Sequence, residues 1–443
     1  MKAPLSHDLD IGVDRNTDAC KTVEDLARII TRQFYFAKDG GGKLYFYKHG
    51  VYYPGGDQFI AELVKQIVEH FDKIKHWKSH KTRELCEYIR ADAGILWERP
   101  PLDRINVKNG ILDTGKRQLL PHTPEFLSTV QLPVNYDPAA TCPQWERFAA
   151  ETLPSDAPAV AWEIAAWLMV PHTRLQKALL LLRSGSNGKS TYLRGLIEFL
   201  GRPNTCSIAL HKLESDRFAS SRLLGKLANI CSDLPNRKLK TTSTFKAITG
   251  EDAVMMDYKF GDSFDAHPFS RLVFSANELP RSNDSSDGFY RRWIILPFTK
   301  TFNVDPEIGE KVSRALANPK ELSGVLNKAL EALPDVMRRG ITIAPSMEEA
   351  LDNYRRLTEP LAVWLDAETE SDPSSLMPKR LLRDGYNEER AAQGELPMPE
   401  EAFGRALKRL RPQLEEGQRM IDGSRRWVYL GIRFKERSRH RNH

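Results

Sequence analysis

The chain has 443 residues, of which 41% are hydrophobic and 28% are charged, and its formal net charge is +6 at pH 7. This length exceeds one typical hydrophobic core, so we expect two to four domains. There is no apolar run of bilayer-spanning length and no signal-peptide core near the start, which predicts a cytoplasmic protein. The five cysteines form no Cys-x-x-Cys pair, so neither a disulfide framework nor a cysteine zinc site is indicated.

The first third of the chain has a mixed α and β pattern. Apolar spacing predicts a helix over 23–36, and an aromatic segment around a His-Gly turn predicts a hairpin over 43–53. An Asn-Gly turn predicts a second hairpin over 105–113. Three prolines in 133–143 are typical of a linker. We therefore expect an N-terminal α+β domain over 1–140.

An apolar run at 179–182 leads into a small-residue loop that ends in Gly-Lys-Ser-Thr and is followed by helix-like sequence. This order is typical of a P-loop, whose backbone N–H groups bind phosphates while Lys189 contacts the β/γ-phosphates and Ser190 ligates Mg²⁺. Arg183 stands where the motif has its first glycine. A small-residue turn without nucleotide is the alternative. The predicted nucleotide-binding residues are Gly185, Ser186, Asn187, Gly188, Lys189, Ser190 and Thr191.

Three later apolar segments carry polar residues suited to nucleotide hydrolysis. The first ends at Asp233, an acid expected to hold the metal's water shell and orient the attacking water. The second ends at Asn277, which would bind the γ-phosphate or the attacking water, with a turn cap as the alternative. Arg291 and Arg292 precede the third, at 293–298. An arginine there can stabilise transition-state charge on the nucleotide of a neighbouring subunit.

Basic residues interleaved with aromatic residues indicate nucleic-acid contacts between these segments. Lys246 follows Phe245, and Lys259 lies between Tyr258 and Phe260. Lysine binds phosphates and aromatic rings stack on bases, so these residues suit single-stranded nucleic acid. A solvated loop is the alternative.

After 345 the composition changes to helices rich in Arg and Glu. From 403 to the last residue there are twelve Lys or Arg against four Asp or Glu, a net charge of +8. Helical patterns at 377–389 and 400–410, followed by a hairpin at 421–430, give the order of a winged helix-turn-helix. A solvated basic tail is the alternative. The predicted DNA-binding residues are Arg405, Lys408, Arg409, Arg425 and Arg426.

Taken in order, these motifs resemble those of superfamily 3 helicases, most closely the phage/plasmid and poxvirus-type primase–helicase family. The resemblance runs from about 106 to 298 and more weakly over the ends. It implies an α/β fold: an AAA+ P-loop ATPase core with a parallel sheet over 141–345, after the N-terminal α+β domain and before a winged-helix-like basic domain over 346–443. It also implies ATP hydrolysis between subunits of a hexameric ring that moves 3′→5′ on single-stranded DNA.

Carried over residue by residue, the resemblance makes Asp233 the Walker B acid, Asn277 the sensor and Arg292, ahead of Arg291, the arginine finger. Lys246 and Lys259 fall where the family carries its DNA-contacting hairpin. The implied cofactors are ATP and Mg²⁺, with Ser190 and Asp233 serving the metal.

The implied partners are single-stranded DNA, origin duplex DNA and further copies of the chain. No primase site is evident in the first 140 residues, so a separate primase or replisome protein is expected. The implied setting is replication of a phage, plasmid or mobile element in a bacterial host or phage-infected cell. An ATP-regulated replication initiator without sustained unwinding is the alternative function. A small-molecule phosphotransferase is less favoured, because it needs neither a trans arginine nor a basic C-terminal domain.

Overall fold

The computed structural model describes residues 22–70, 78–182, 188–235, 237, 239–258, 262–278, 280, 282, 284, 286–298, 300, 302 and 306–435. These residues form a mixed α/β structure with a five-stranded parallel sheet. The chain divides into two compact units, one up to Glu348 and one from Glu349. Within the described ranges, no helix has the length and apolarity required to span a membrane.

The N-terminal part of the first unit contains two small sheets and three helices within the described residues. Its elements are α1 (Val23–Gln33), β1 (Phe36–Lys38), β2 (Leu44–Lys48), β3 (Val51–Pro54), α2 (Gly56–His70), α3 (Ser79–Asp92), β4 (Gly94–Ile95), β5 (Arg104–Val107), β6 (Gly110–Asp113) and β7 (Gln118–Leu120). The strand orders are β3-β2-β1-β4 and β5-β6-β7. Both hairpins predicted from the turn residues are confirmed, as β2–β3 and β5–β6. A capping box between Thr22 and Asp25 fixes the start of α1.

The rest of the first unit is built around the parallel sheet. Its elements are α4 (Pro143–Thr152), α5 (Val160–Met169), β8 (Ala178–Leu182), α6 (Lys189–Leu200), β9 (Thr205–Cys206), α7 (Leu210–Ser215), β10 (Ala228–Cys231), α8 (Ser243–Gly250), β11 (Val254–Asp257), β12 (Ser263–Ala266), β13 (Arg271–Ala276), α9 (Asp287–Tyr290), β14 (Trp293–Pro297), α10 (Pro306–Leu316), α11 (Pro319–Arg339) and α12 (Pro345–Thr358), the last of which crosses the division between the units. The sheet order is β14-β8-β13-β10-β9, with every neighbouring pair parallel. The continuous apolar sequence of β8 is typical of a strand that is covered on both faces.

One hydrophobic core joins the N-terminal region to the parallel sheet. Val107, Leu132 and Val134 belong to the same buried cluster as Trp145 and Leu179. Packing is therefore continuous across 140/141, where the prolines predicted a boundary. The other predicted boundary, at 345/346, lies close to the division between the two compact units.

The second unit has its own core around a three-stranded antiparallel sheet. After the end of α12, its elements are α13 (Pro360–Glu368), β15 (Thr369–Pro378), α14 (Lys379–Ala392), α15 (Glu400–Leu410), β16 (Glu415–Ile421) and β17 (Ser424–Phe434). The strand order is β15-β17-β16, and Trp364, Leu382 and Phe403 are buried against the sheet. The sequence pattern predicted the two helices and the hairpin but not β15, because that strand is polar and lacks apolar alternation.

Candidate functional site

The carboxyl end of β8 leads to the start of α6, where the P-loop motif was predicted. Gly188 precedes the helix with a φ of +87°, a left-handed conformation that favours glycine. A Cβ there would also lie 3.0 Å from Thr152 Cγ2. Gly188, the N-cap residue of α6, offers no side chain to cap the helix, and the N–H groups at a helix start are suited to an anion. Lys189 is 6% exposed at this helix start.

The neighbouring predicted residues differ in exposure. Ser190 is exposed and Thr191 is half-buried in the first turn of α6. Gly185, Ser186 and Asn187 lie outside the described residues.

Asp233 and Asn277 come to the same edge of the sheet as this helix start. Asn277 directly follows β13, whose last residue pairs with Leu182 at the end of β8. Asp233 follows β10, and the next residue, Leu234, donates a backbone hydrogen bond of 2.8 Å to Ser275 O of β13. Both predicted side chains are exposed. Adjacent strands are about 4.8 Å apart, so the predicted P-loop, the amide and the acid follow one another along the carboxyl ends of the strands.

The arginine pair lies at the opposite ends of the strands, where the parallel strands of the sheet begin. Arg291 and Arg292 precede β14, whose first residue pairs with Ala178 at the start of β8. Ala178 N donates to Arg292 O at 2.7 Å, and Lys177 Nζ donates to Arg291 O at 2.5 Å. The strands are parallel and each residue advances about 3.3 Å. The arginines are therefore separated from the predicted P-loop of their own chain by the length of β8.

The two arginines have different environments. Arg292 is 8% exposed, and its guanidinium donates to Thr249 Oγ1 at 3.0 Å and to Gly288 O at 2.5 Å. Burial, with a smaller effect from Arg291, lowers the pKa of Arg292. Arg291 is exposed and donates to Gln176 Oε1 at 3.3 Å. The sequence ranked Arg292 first as a trans-acting residue. The geometry makes Arg291 the more accessible guanidinium, and the arginine-finger assignment stays a prediction.

The segment predicted to contact DNA contains a hairpin between β10 and β13. Strands β11 and β12 pair in antiparallel fashion, and Lys259 falls between them, outside the described residues. Lys246, on α8, is held within the chain: its Nζ lies 2.5 Å from Asp284 Oδ2 and 3.0 Å from Ser286 Oγ. Burial alone would raise the pKa of Asp284, but hydrogen bonds from Lys246 and Thr242 hold it well below its usual range.

The N-terminal region contacts the base of this hairpin. A Cβ at Gly41, in the β1–β2 turn, would lie 3.1 Å from Tyr258 Cε2, so glycine permits the close approach. Arg99 Nη1 lies 3.1 Å from Glu251 Oε1 just after α8, and Glu98 Oε1 accepts a 2.7 Å hydrogen bond from His267 N. Sequence reasoning missed these contacts because they join residues far apart in the chain without a local pattern.

The predicted basic residues of the second unit fall into two groups. Arg405 Nη1 lies 3.6 Å from Glu401 Oε2, and Arg409 Nη2 lies 2.7 Å from Glu359 Oε1. Lys408 lines a cavity of about 200 Å³ between α15 and the β16–β17 hairpin. Arg425 and Arg426 are exposed on β17, and neither forms an ion pair with any residue that the structure describes.

The fold that carries this candidate site is a mixed α/β structure with a five-stranded parallel sheet. A family model described as "D5 N terminal like" matches residues 27–154. A model described as "Family of unknown function (DUF5906)" matches residues 182–292, from the end of β8 to the arginine pair.

The fold is also similar to solved structures of the NrS-1 C-terminal region. The apo structure of its residues 305–718 has a TM-score of 0.52 and 12% identity, covering 93% of this chain and 99% of that chain. The A form of the same region has a TM-score of 0.50 and 11% identity, covering 93% of this chain and 100% of that chain. At 11–12% identity, these solved structures show a shared fold.

Proposed function

We propose that this chain is an ATP-dependent DNA helicase of superfamily 3, which acts as a hexamer and moves 3′→5′ on single-stranded DNA. Its setting would be the replication of a phage, plasmid or mobile element in the cytoplasm of a bacterial host or phage-infected cell. A separate primase or replisome protein would supply primers.

The observation that carries the proposal is the strand order of the parallel sheet. When its five strands are numbered along the chain, from β8 to β14, their order across the sheet is 5-1-4-3-2. The P-loop sequence follows the first strand, Asp233 the third and Asn277 the fourth. Ligands of open parallel sheets bind outside the carboxyl ends of the strands, where these residues lie. This arrangement supports an AAA+ P-loop core.

ATP and Mg²⁺ fit the chemistry of this edge. The N–H groups at the start of α6 and the ammonium of Lys189 are donors suited to phosphate oxygens. The Ser190 hydroxyl and the Asp233 carboxylate offer the oxygen ligands that Mg²⁺ prefers, and bound Mg²⁺ would neutralise phosphate charge. Asn277, beside the end of β8, would orient the γ-phosphate or the attacking water.

The opposite placement of the arginine pair supports action between subunits. Arg291 and Arg292 are separated from the P-loop edge by the length of β8, so either residue would serve hydrolysis on a second copy of the chain. Arg291 has the exposed guanidinium, and Lys177, whose pKa is lowered by burial and then by Arg291, lies beside it. Positive charge on this surface suits the phosphates of a nucleotide bound to a neighbouring subunit.

Two features support DNA as the substrate. The β11–β12 hairpin carries Lys259 between its strands, in the segment that resembles the DNA-contacting hairpin of the family. The second unit has the order helix, strand, helix, helix, strand, strand, with the last two strands forming a hairpin. This order supports a winged-helix domain that binds origin duplex DNA.

The proposal is tested by strand displacement on forked DNA. Forks with only a 3′ or only a 5′ tail are compared with and without ATP. We expect ATP-dependent displacement from the 3′-tailed fork, and none with Lys189→Ala. Arg194→Ala is the matched control, because it removes an exposed cation from the same helix. ATP hydrolysis with origin binding but no displacement would favour the initiator, and full hydrolysis by Lys189→Ala would contradict the P-loop assignment.

A further inference from the structure

Helix α15 is the element that would enter a DNA groove in a winged helix, but ion pairs within the unit hold much of its charge. The guanidinium of Arg409 binds Glu359, whose side chain is buried. The guanidinium of Arg405 lies near Glu401. The first turn of α15 also carries two acidic residues, Glu400 and Glu401. These carboxylates would repel phosphates at the end of the helix that normally reads bases.

The tip of the β16–β17 hairpin has the opposite character. We call residues 417–427 the wing tip. Arg419, Arg425 and Arg426 are exposed there, and no ion pair joins them to a carboxylate in the described part of the chain. The single acid of the wing tip, Asp422, sits in the turn with a φ of +50°. The wing tip therefore presents net positive charge to solvent.

The same hairpin exposes two large apolar side chains. Trp427 is 54% exposed and Met420 is 65% exposed. The register pairs Gln418 with Trp427 and Met420 with Arg425. Residues two apart on a strand share a face, so Trp427, Met420 and Arg425 lie on one face of the wing tip. An exposed aromatic ring beside a cation is the combination by which proteins hold unpaired bases.

The ring of Trp427 is positioned from the base of the hairpin. Lys379 Nζ lies 5.1 Å from the ring centroid and 2.5 Å from Glu416 Oε2. A cation near the ring stabilises this placement, while more than half of the side chain stays accessible. The ring is thus held at the surface and does not join the core of the second unit.

We propose that the wing tip binds single-stranded nucleic acid, with Trp427 stacked on an unpaired base and Arg425, on the same face, holding a phosphate. Charge complementarity favours a polyanion, and a base can stack on the full face of a side chain only when it is unpaired. This inference deepens the proposed function by assigning a strand contact to the second unit. Its test needs no ATP hydrolysis.

The experiment measures binding of fluorescein-labelled oligo(dT) and of a blunt duplex of equal length by anisotropy. It uses the full chain without nucleotide, in a Lys259→Ala background that removes the predicted contact in the first unit. We expect Trp427→Ala to weaken oligo(dT) binding by roughly 5- to 150-fold, the range for one stacked base, with under about twofold change on the duplex. Trp427→Phe keeps a stacking ring and should restore most of the affinity.

The charged contacts are tested by salt dependence. Arg425→Ala should lower the slope of log K against log salt on oligo(dT) by about 0.7, the value for one lost phosphate contact. Arg433→Ala is the matched control: it removes the same charge from the same strand, but Arg433 is already paired with Glu370 and Asp372. It should leave the slope unchanged.

Three results would overturn the inference. They are unchanged oligo(dT) affinity in Trp427→Ala, an equal loss on the blunt duplex, or unchanged DNA binding with loss of self-association by light scattering. The second result would mean a groove contact, and the third a protein interface. Tryptophan-dependent binding in a chain that hydrolyses no ATP would refute the proposed helicase and leave this inference standing.

Discussion

Arg292 and Thr249 are joined by a 3.0 Å hydrogen bond from Nε to Oγ1, in the interior of the first unit. The bond connects the start of β14 to α8, and a second bond from Arg292 to Gly288 O completes the arrangement. The adjacent Arg291 is exposed. Substitution of the two neighbouring arginines should therefore affect stability differently. Arg292 supports the fold, whereas Arg291 is exposed where the strands of the parallel sheet begin.

We expect Arg291→Ala to lose ATP hydrolysis while it retains ATP binding and thermal stability. A trans-acting arginine is worth about 10³–10⁵ in rate in GTPases, and its removal leaves no buried group without a partner. We expect Arg292→Ala to lower the free energy of unfolding by about 1–3 kcal/mol, because Thr249 and Gly288 lose a buried donor. ATPase rates, nucleotide affinity and unfolding curves for both variants distinguish these roles.

Mixing subunits tests whether the arginine acts in trans. Lys189→Ala and Arg291→Ala subunits are each expected to be inactive alone. In mixed assemblies, some interfaces combine an intact P-loop with an intact Arg291, so hydrolysis should partly return. No recovery at any ratio, with assembly verified by light scattering, would argue against Arg291. The same mixture with Arg292→Ala then tests Arg292, which the sequence analysis placed ahead of Arg291 as the arginine finger.

We expect the two predicted DNA-binding lysines of the first unit to behave differently. Lys246→Ala should lower stability, since it breaks the contacts with Asp284 and Ser286. Lys259→Ala should keep basal ATPase activity and stability but reduce DNA strand displacement. The reason is that Lys259, between β11 and β12, is proposed to contact single-stranded DNA. Melting temperature and fork unwinding are measured for both. Normal unwinding by Lys259→Ala would show that Lys259 does not contribute to DNA unwinding.

Local patterns predicted much of the fold and the order of the site. Turn residues located the hairpins, the apolar run located β8, and polar residues after apolar segments located Asp233 and Asn277. Parallel strands bring such residues to one edge, which needs no knowledge of the strand order.

What could not be predicted depends on contacts distant in sequence. The burial of Arg292 is set by Thr249 and Gly288, and the pairing of Arg409 by Glu359. A count of basic residues treats such side chains as equally available. The missed strand β15 has no apolar alternation of its own, and it is defined by its pairing with β17.

The contact between Arg99 and Glu251 predicts communication between the N-terminal region and the hairpin. Both side chains are about one-third exposed, so Arg99→Ala should cost under about 1 kcal/mol of stability. It should nevertheless reduce the stimulation of ATPase activity by single-stranded DNA, because Glu251 lies between α8 and β11. Arg202→Ala is the matched control, since its partner Glu198 lies one turn away on the surface. Equal stimulation in both variants would contradict the expectation.

The last prediction concerns pH and the buried His172, which is 2% exposed. Its Nδ1 accepts a 3.3 Å hydrogen bond from Arg174 N, so this nitrogen carries no proton. Burial, followed by the charges of Arg271 and Arg174, lowers the pKa of His172 to about 4. Between about pH 6.5 and 4 the unfolded chain therefore binds a proton that the folded chain does not. The stability that His172 contributes is present above pH 6.5 and is lost as the pH falls through this window, by at most about 1.4 kcal/mol per pH unit.

His172→Asn should make unfolding less dependent on pH in this range, whereas the exposed His80→Asn should not. Parallel unfolding curves at pH 7.5 and pH 5 measure both, and an unchanged pH dependence in His172→Asn would contradict the assignment.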